Sequence, residues 1–311
     1  LISSLAVRHE VAALSFLAAG QTAGPDDALH ALCRVETVPL PVRTLRRRLR
    51  DLLLTPHPDM ALRLASAAYG ARLADWLARE PFDVVQVGGI EMSPYLDVLE
   101  NTRPRPRIVF DDLNCEYLLQ KRAFLTDLRV PARWPGAAYS FIQWRRLRRY
   151  EAQVCRRVDH VIAVSEADAA LLRALAPGVA VTAVPNGVDV RAYSPAPVTQ
   201  FPPEPILVFT GVMDFRPNVD AVLWFAEEIW PHIRAALPAA RFHIVGQRPH
   251  RRLEKLRGDP TIHLTGWVED VRPYIAQAAV YVAPLRIGGG TRLKFCLLYT
   301  SDAADDLLCV D

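Results

Sequence analysis

Residues 280–294 read VYVAPLRIGGGTRLK, and this stretch decides the fold of the second half of the chain. An apolar strand, predicted over 280–285, runs directly into Gly288-Gly289-Gly290, and a cationic segment of helical character follows. Backbone amides at a helix start, beside the cations Arg292 and Lys294, form a site for a phosphate or diphosphate. The stretch therefore predicts an α/β protein that handles a nucleotide-activated group.

Glycines also end other predicted strands of this half. Apolar runs at 206–211, 241–245 and 261–264 are predicted strands, and they lead to Gly211, Gly246 and Gly266. A glycine at a strand end lets a ligand approach the backbone closely. The repeated pattern therefore favours a nucleotide pocket, with ordinary turns as the alternative. No G-x-G-x-x-G follows a strand, so a nicotinamide fingerprint is absent, and no Walker A pattern occurs either.

Short apolar runs alternate with helical patterns in the first half too. The predicted strands cover 11–17, 84–87, 107–110, 161–164 and 181–184, and the main helices cover 62–79 and 140–157. In the second half a helix is predicted over 217–233. The alternation predicts an α/β fold with parallel sheets. We expect two Rossmann-like doubly wound domains facing a cleft, where the carboxyl ends of the strands bind ligands.

A proline-rich stretch marks the predicted domain boundary. The predicted parts are an N-terminal domain over 1–188, a linker over 189–204, a C-terminal domain over 205–295 and a tail over 296–311. The tail is acidic and continues neither a helix nor a strand, so we interpret it as foreign to the protein, with a natural disordered tail as the alternative. Because the chain opens at Leu1 in a helical pattern, we expect preceding sequence to be missing.

Composition excludes several classes of protein. The 311 residues carry a formal charge of only +3, which gives no argument for nucleic-acid binding. No apolar run reaches the roughly 18 residues of a membrane span, and no signal peptide is present. The five cysteines form no CxxC pair and show no metal-ligand spacing. We therefore expect a cytoplasmic protein.

The segment Asp111-Asp112-Leu113-Asn114-Cys115-Glu116 follows the third predicted strand. Acidic and amide groups at the carboxyl end of a strand face the ligand edge of a sheet. Asp111, Asn114 and Glu116 are therefore candidates for binding acceptor hydroxyls, and Asp112 is a candidate base. The alternative is a capped junction between strand and helix. A metal site is not favoured, because the spacing places no third ligand.

Cationic groups elsewhere have two interpretations each. Arg216 precedes Asn218 at a predicted helix start, where the positive helix end and a guanidinium hold a phosphate. A plain N-cap beside a solvated arginine fits equally well. The arginine clusters at 43–50 and 144–149 fit a solvated helix face best. Contact with anionic lipid or an anionic acceptor is the alternative.

Six segments in order resemble glycosyltransferase family 4, of the two-Rossmann GT-B architecture, and most closely a bacterial branch that makes surface polysaccharide. The segments are 112–117, 139–144, 184–189, 209–220, 268–274 and 284–294. The resemblance spans roughly 5–295. It implies a hexosyltransferase that works without metal or cofactor and retains the anomeric configuration. A UDP- or GDP-linked sugar would lie in the second domain and a glycan or lipid-linked acceptor in the first, at the inner face of the membrane.

The resemblance also implies roles for residues. Arg292, Lys294 and the glycine-rich backbone would neutralise the departing diphosphate, a charge that grows in the transition state. The candidate catalytic residues are Arg292, Lys294 and Asp112. The candidate donor-binding residues are Gly211, Arg216, Asn218, Gly246, Gly266, Val268, Gly288, Gly289, Gly290 and Thr291.

The sequence departs from the family pattern in several places. Leu113 stands where the family often has a histidine, and Val212 and Pro217 stand where many members have arginine and lysine. The first acid of the family's paired-glutamate motif is replaced, and Leu297 stands at the second. Two alternatives therefore stay open, which are an inactive nucleotide-sugar-binding relative and a sugar-nucleotide epimerase of the same architecture. The first strand and the last strand and helices of the family are also expected to be missing.

Overall fold

The computed structural model describes residues 2–18, 20, 29–187 and 202–287. Contacts divide the chain into two compact units. One joins Leu1–Gln120 with Tyr139–Val184, and the other joins Lys121–Ala138 with Pro185–Asp311. Residues 121–138 fall in the N-terminal domain on the sequence prediction, but their contacts place them with the second unit. Most of the predicted linker and all of the predicted tail lie outside the described residues.

The first unit contains parallel strands in two sheets. A two-stranded sheet pairs β1 (Ala12–Leu17) with β2 (Arg34–Pro39). A four-stranded sheet has the order β3-β4-β5-β6, formed by Val84–Gly88, Arg107–Asp112, His160–Ala163 and Val181–Ala183. All five predicted strands of this half are present. Strand β2 is not predicted, because its sequence RVETVP buries only Val38 and carries charge at two positions.

The described residues of the first half of the chain form eight helices. They are α1 (Ile2–Ala6), α2 (Leu45–Leu54), α3 (Asp59–Arg63), α4 (Ala67–Arg79), α5 (Leu96–Asn101), α6 (Glu116–Leu128), α7 (Trp134–Arg157) and α8 (Glu166–Leu175). Short 3-10 turns cover Ile90–Tyr95 and Pro131–Arg133. The predicted helix over 62–79 is in fact two helices, since Ser66 caps α4 by accepting the Tyr69 N–H at 3.3 Å.

The core of the first unit lies between the four-stranded sheet and its helices. Ile108 and Phe110 of β4, Leu147 of α7 and Leu172 of α8 are fully buried. Because neighbouring parallel strands end at the same sheet edge, this packing fixes the β4–α6 turn, which carries the predicted acceptor residues.

The second unit contains a parallel sheet of order β10-β7-β8-β9. Its strands are β7 (Ile206–Thr210), β8 (Arg241–Val245), β9 (Ile262–Gly266) and β10 (Val280–Tyr281). The other elements are α9 (Arg216–Trp224), a π-turn (Phe225–Ile229), α10 (Trp230–Ala236), a 3-10 segment (Arg251–Gly258) and α11 (Arg272–Ala276). Strand β7 is buried at every position and is the centre of this unit.

Two predicted elements of this half are altered by proline. The helix predicted over 217–233 is interrupted by the π-turn, and α10 begins with Pro231 in its first turn, where a missing N–H costs nothing. The strand predicted over 280–285 ends at Tyr281, before Pro284, which has no N–H to donate to a neighbouring strand.

Aromatic side chains fill the core of the second unit. Phe225, Trp230 and Phe242 pack with ring centroids 4.7–6.4 Å apart, and Trp230 Nε1 donates to Thr261 Oγ1 at 3.0 Å. The indole N–H thus has a partner in the core, as a buried donor requires. Within the described residues, no helix combines the length and apolar character needed to traverse a lipid bilayer.

Candidate functional site

Three of the predicted donor-binding glycines lie together at one edge of the second unit's sheet. Gly211, Gly246 and Gly266 stand at the carboxyl ends of β7, β8 and β9, which are neighbours in the sheet. The Gly211 N–H donates to the Val245 carbonyl at 3.0 Å, and the Gly246 N–H donates to the Gly266 carbonyl at 3.2 Å. Strand pairing therefore gathers these glycines into one surface made of backbone.

The backbones of Gly211 and Gly246 approach each other too closely for any side chain. A Cβ atom at Gly246 would lie 1.7 Å from the Gly211 carbonyl oxygen. At Gly266 the reason is conformational, because its φ is +72°, a region that favours glycine. Two of the predicted glycines are thus required by this sheet edge itself, whatever ligand it binds.

Arg216 and Asn218 lie close to this edge but are occupied within the unit. Helix α9 begins at Arg216, one residue before the predicted start at Pro217. Asn218 is buried, and its Nδ2 donates to the Val212 carbonyl at 2.9 Å, which fixes the β7–α9 loop. The Arg216 guanidinium forms an ion pair with Asp127. The Arg216 side chain is 42% exposed and paired at the same time, so both interpretations of Arg216, as a phosphate ligand and as a solvated side chain, stay open.

A buried aspartate that the sequence does not single out organises the same region. Asp220 of α9 accepts two hydrogen bonds from Arg286, at 3.0 and 2.8 Å, and one from Arg133 at 3.1 Å. The Arg286 guanidinium also lies 5.1 Å from the ring centre of Trp224. Arg286 is two residues before the glycine-rich stretch, so Asp220 fixes the chain just ahead of it.

Of the remaining predicted donor-binding residues, only Val268 lies within the part of the chain that the structure describes. Val268 is half-buried in the loop after β9, next to the exposed Trp267. The residues outside the described part of the chain are Gly288, Gly289, Gly290, Thr291, Arg292 and Lys294. Their roles stay predictions.

The predicted acceptor residues surround the carboxyl end of β4 in the first unit. Asp111 is partly exposed and accepts from Gln86 Nε2 at 2.7 Å. Asn114 and Glu116 are partly exposed in the turn that follows. Asp112 points to the other face of the strand and is only 1% exposed. Its burial separates Asp112 from the exposed groups of the turn, and its role as a base stays a prediction.

Glu151 of α7, which the sequence does not reveal, contacts this turn from the buried side. Its carboxylate accepts from the N–H of Glu116 at 2.9 Å and from the N–H of Tyr117 at 3.0 Å. Burial and the nearby Glu151 raise the pKa of Glu116 to about 8. In the described residues, no group of three His, Cys, Asp or Glu side chains is arranged to hold a metal ion.

Comparison with protein families assigns the chain. A family model described as Glycosyltransferase Family 4 matches residues 4–192, and one described as Glycosyl transferases group 1 matches residues 204–298. The chain belongs to glycosyltransferase family 4. No curated protein matches this sequence.

Solved structures share the fold at low sequence identity. A sucrose-phosphate synthase from Thermosynechococcus elongatus is 14% identical with a TM-score of 0.58, and the match covers 87% of this chain and 64% of that one. An α,α-trehalose 6-phosphate synthase from Burkholderia multivorans is 14% identical with a TM-score of 0.58, covering 95% and 82%. A trehalose-6-phosphate structure from E. coli, bound with UDP-2-fluoro glucose, is 11% identical with a TM-score of 0.53, covering 93% and 82%.

These likenesses confirm the predicted fold class, with two Rossmann-like domains of GT-B type. At 11–14% identity they establish the fold alone. The family 4 chain spans just under two thirds of the length of the sucrose-phosphate synthase.

The contact between Gly211 and Gly246 makes a first prediction. Gly246→Ala should lower the free energy of unfolding by about 1–3 kcal/mol, because the new Cβ displaces the β7–α9 loop. Urea unfolding of the second unit measures the loss. Gly258→Ala is the matched control, since no atom lies within 4 Å of the position of its Cβ. Equal midpoints for the two variants would contradict the predicted clash.

The buried aspartate makes a second prediction. Asp220→Ala should lower the free energy of unfolding by about 3 kcal/mol, because it leaves the two arginines without their shared acceptor. Glu254→Ala is the control, since it removes only an exposed pair with Arg257 and should cost about 0–1 kcal/mol. A loss at Asp220 no larger than that at Glu254 would show that the cluster does not stabilise this unit.

Proposed function

We propose that this chain comes from a retaining glycosyltransferase. The enzyme moves a hexosyl group from a UDP- or GDP-linked sugar to a glycan or lipid-linked acceptor. Membership of family 4 supports the reaction class. The single observation that carries the donor assignment is the edge formed by Gly211, Gly246 and Gly266, where three strand ends expose backbone side by side. A donor diphosphate meets peptide groups there at close range.

The positive charge for the diphosphate comes from the residues after this edge. Arg292 and Lys294 follow the glycine-rich stretch, and they neutralise the charge that develops on the leaving group. Arg216 is not assigned this role, because it already pairs with Asp127. The neighbour bound with UDP-2-fluoro glucose has the same fold, which supports a nucleotide sugar as the donor. The reaction as proposed uses no metal and no cofactor.

The acceptor lies at the carboxyl end of β4. Asp111, Asn114 and Glu116 present carboxyl and amide oxygens there, groups that bind sugar hydroxyls. Burial raises the pKa of Glu116 to about 8, and in its protonated form this side chain donates a hydrogen bond to an acceptor oxygen. We infer that acceptors of surface-polysaccharide synthesis fit this site, following the resemblance of the sequence to that bacterial branch.

An inactive nucleotide-sugar-binding protein is the second candidate function. It is favoured by one described observation, since Leu113 is half exposed where family members often have a histidine. Both candidate proteins bind the nucleotide-sugar donor, but only the transferase turns it over. Release of the sugar from a donor by the full-length protein would exclude the inactive relative.

The proposed reaction makes a third prediction. UDP-glucose, UDP-N-acetylglucosamine or GDP-mannose should raise the melting temperature of the full-length protein, since a ligand stabilises the folded state by mass action.

Lys294→Ala should slow turnover about thirtyfold, a barrier increase of about 2 kcal/mol. The control is Lys255→Ala, because Lys255 pairs with Glu227. Unchanged kinetics in Lys294→Ala would overturn the assigned role, and inversion at the anomeric carbon would overturn retention.

Contact with an anionic membrane is part of the proposal, and α2 is the surface for it. Leu45, Leu49 and Leu53 form an exposed stripe on one face, with 53–81% of each residue accessible, and Arg46 and Arg50 flank it. An amphipathic basic helix of this kind lies in the headgroup region of a bilayer.

Two other arginines near α2, Arg43 and Arg146, are held inside the unit. Arg43 bridges Asp51 and Asp59 at 2.9 and 2.8 Å, and Arg146 donates to the carbonyl of Leu52 at 2.7 Å. These contacts hold α2 against the rest of the first unit, with its leucine stripe facing outward.

The exposed stripe makes a fourth prediction. The protein should sediment with vesicles that contain phosphatidylglycerol and not with pure phosphatidylcholine, and added salt should weaken the binding. Leu49→Gln with Leu53→Gln should abolish sedimentation. The control is Leu125→Gln, which makes the same leucine-to-glutamine change at an exposed position of α6. Binding that survives the double change would exclude α2 as the contact.

A further inference from the structure

The two arginine clusters at 43–50 and 144–149 lie far apart in the sequence but meet at one cavity of the first unit. The cavity has a volume of about 230 Å³ and is lined by residues of α2, α3, α7 and the segments next to α2. The arginines of the lining are Arg43 and Arg48 from the first cluster and Arg146 from the second. Folding therefore concentrates cations at a place that the sequence alone does not reveal.

Arginines outnumber acids around this cavity. The Arg43 side chain is only 11% exposed and bridges the two acidic residues of the lining, Asp51 at 2.9 Å and Asp59 at 2.8 Å. The guanidinium of Arg48 pairs with Asp59 at 3.2 Å, and that of Arg50 pairs with Asp51 at 3.4 Å. Three guanidinium groups thus share two carboxylates, which leaves an excess of positive charge beside the cavity.

Arg146 adds a charge that no acid balances within the described part of the chain. Its guanidinium donates to the carbonyl of Leu52 at 2.7 Å and to that of His57 at 3.3 Å. These contacts fix the guanidinium without neutralising it. The Nε of Arg43 is buried and has no hydrogen-bond partner among the described residues. A buried N–H and an uncompensated cation both favour an anion that accepts hydrogen bonds.

Two exposed leucines stand where the cavity reaches the surface. Leu45 and Leu49 belong to its lining and are 69% and 53% exposed. They are also part of the leucine stripe of α2 that is proposed to face the bilayer. A ligand that suits this lining carries an anionic group for the arginines, and the leucines accommodate an apolar chain attached to it.

We propose that this cavity is a binding site for a phosphate group, held by the guanidinium groups of Arg48 and Arg146. A guanidinium presents paired N–H donors that match two phosphate oxygens, and such charge-assisted contacts are strong. Two kinds of molecule supply this group, a phospholipid headgroup and a soluble phosphate ester, and the exposed leucines favour the lipid. The inference goes beyond the proposed function, because it does not depend on sugar transfer.

Binding of glycerol 3-phosphate makes the fifth prediction. In calorimetric titration of the full-length protein, Arg48→Gln should weaken the affinity for glycerol 3-phosphate about tenfold, because a charge-assisted contact is lost. The matched control is Arg47→Gln, which removes the same charge from the next position of α2, outside the lining. It should change the affinity less than about twofold, since salt screens an exposed charge. The donor edge also binds phosphate, so the readout is the difference between the two variants.

A second pair of variants covers the case in which Arg48→Gln fails to fold. Arg146→Gln should weaken the affinity for glycerol 3-phosphate by a similar factor, and Arg149→Gln removes the same charge from α7 outside the lining. The melting temperature of each variant identifies any loss of folding.

Vesicles distinguish the two sources of the phosphate group. For a lipid headgroup, Arg48→Gln should lower sedimentation with phosphatidylglycerol vesicles more than Arg47→Gln does. For a soluble ester, the two variants should sediment alike, while glycerol 3-phosphate still separates them.

The proposal is overturned when neither assay separates the lining variants from their controls, because the arginines would then act only as diffuse surface charge. Failure of the wild type to sediment, with the glycerol 3-phosphate difference intact, would overturn the proposed membrane contact and leave the phosphate site standing. Absence of sugar transfer by a protein that shows these differences would count against the proposed function alone, since neither assay requires turnover.

Discussion

The second unit depends on the close contact between the backbones of Gly211 and Gly246. Strand β7 is buried throughout and pairs with β8, so the loops that leave the two strands emerge side by side. The Met213 N–H donates to the Gln247 carbonyl at 2.8 Å and holds these loops together beyond the strands. Side chains are excluded where the loops touch. The sheet edge therefore presents peptide groups, and these are the groups that bind phosphates with little dependence on side-chain conformation.

The two units bury carboxylates in different ways. Asp220 lies among arginines, which balance its charge. Asp112 and Glu151 form no ion pair with a cation among the described residues, and burial raises the pKa of both carboxyl groups.

The sequence predicts more of the fold than of the site. Apolar runs locate every described strand except β2, which buries only Val38 and so lacks the periodic signal. The rule that parallel strands end at one edge correctly brings Gly211, Gly246 and Gly266 together. Partners far apart in sequence are not predicted, since Asp127 is 89 residues from Arg216. The burial of Asp112 is missed because adjacent strand residues face opposite sides, and the pattern Asp-Asp does not say which side is the core.

The ion pair between Arg216 and Asp127 also bears on the source of the charge that would stabilise a leaving diphosphate. A family-level likeness alone would assign part of that charge to the loop after β7, where many members carry cations. In this chain Val212 and Pro217 are uncharged and Arg216 is already neutralised. The loop after β7 then contributes close backbone approach and no net charge. A developing negative charge is stabilised by positive groups fixed near it. The proposal therefore assigns the stabilisation of the leaving diphosphate to the cations that follow the glycine-rich stretch. Arg286, fixed on Asp220, sets the position from which that stretch begins.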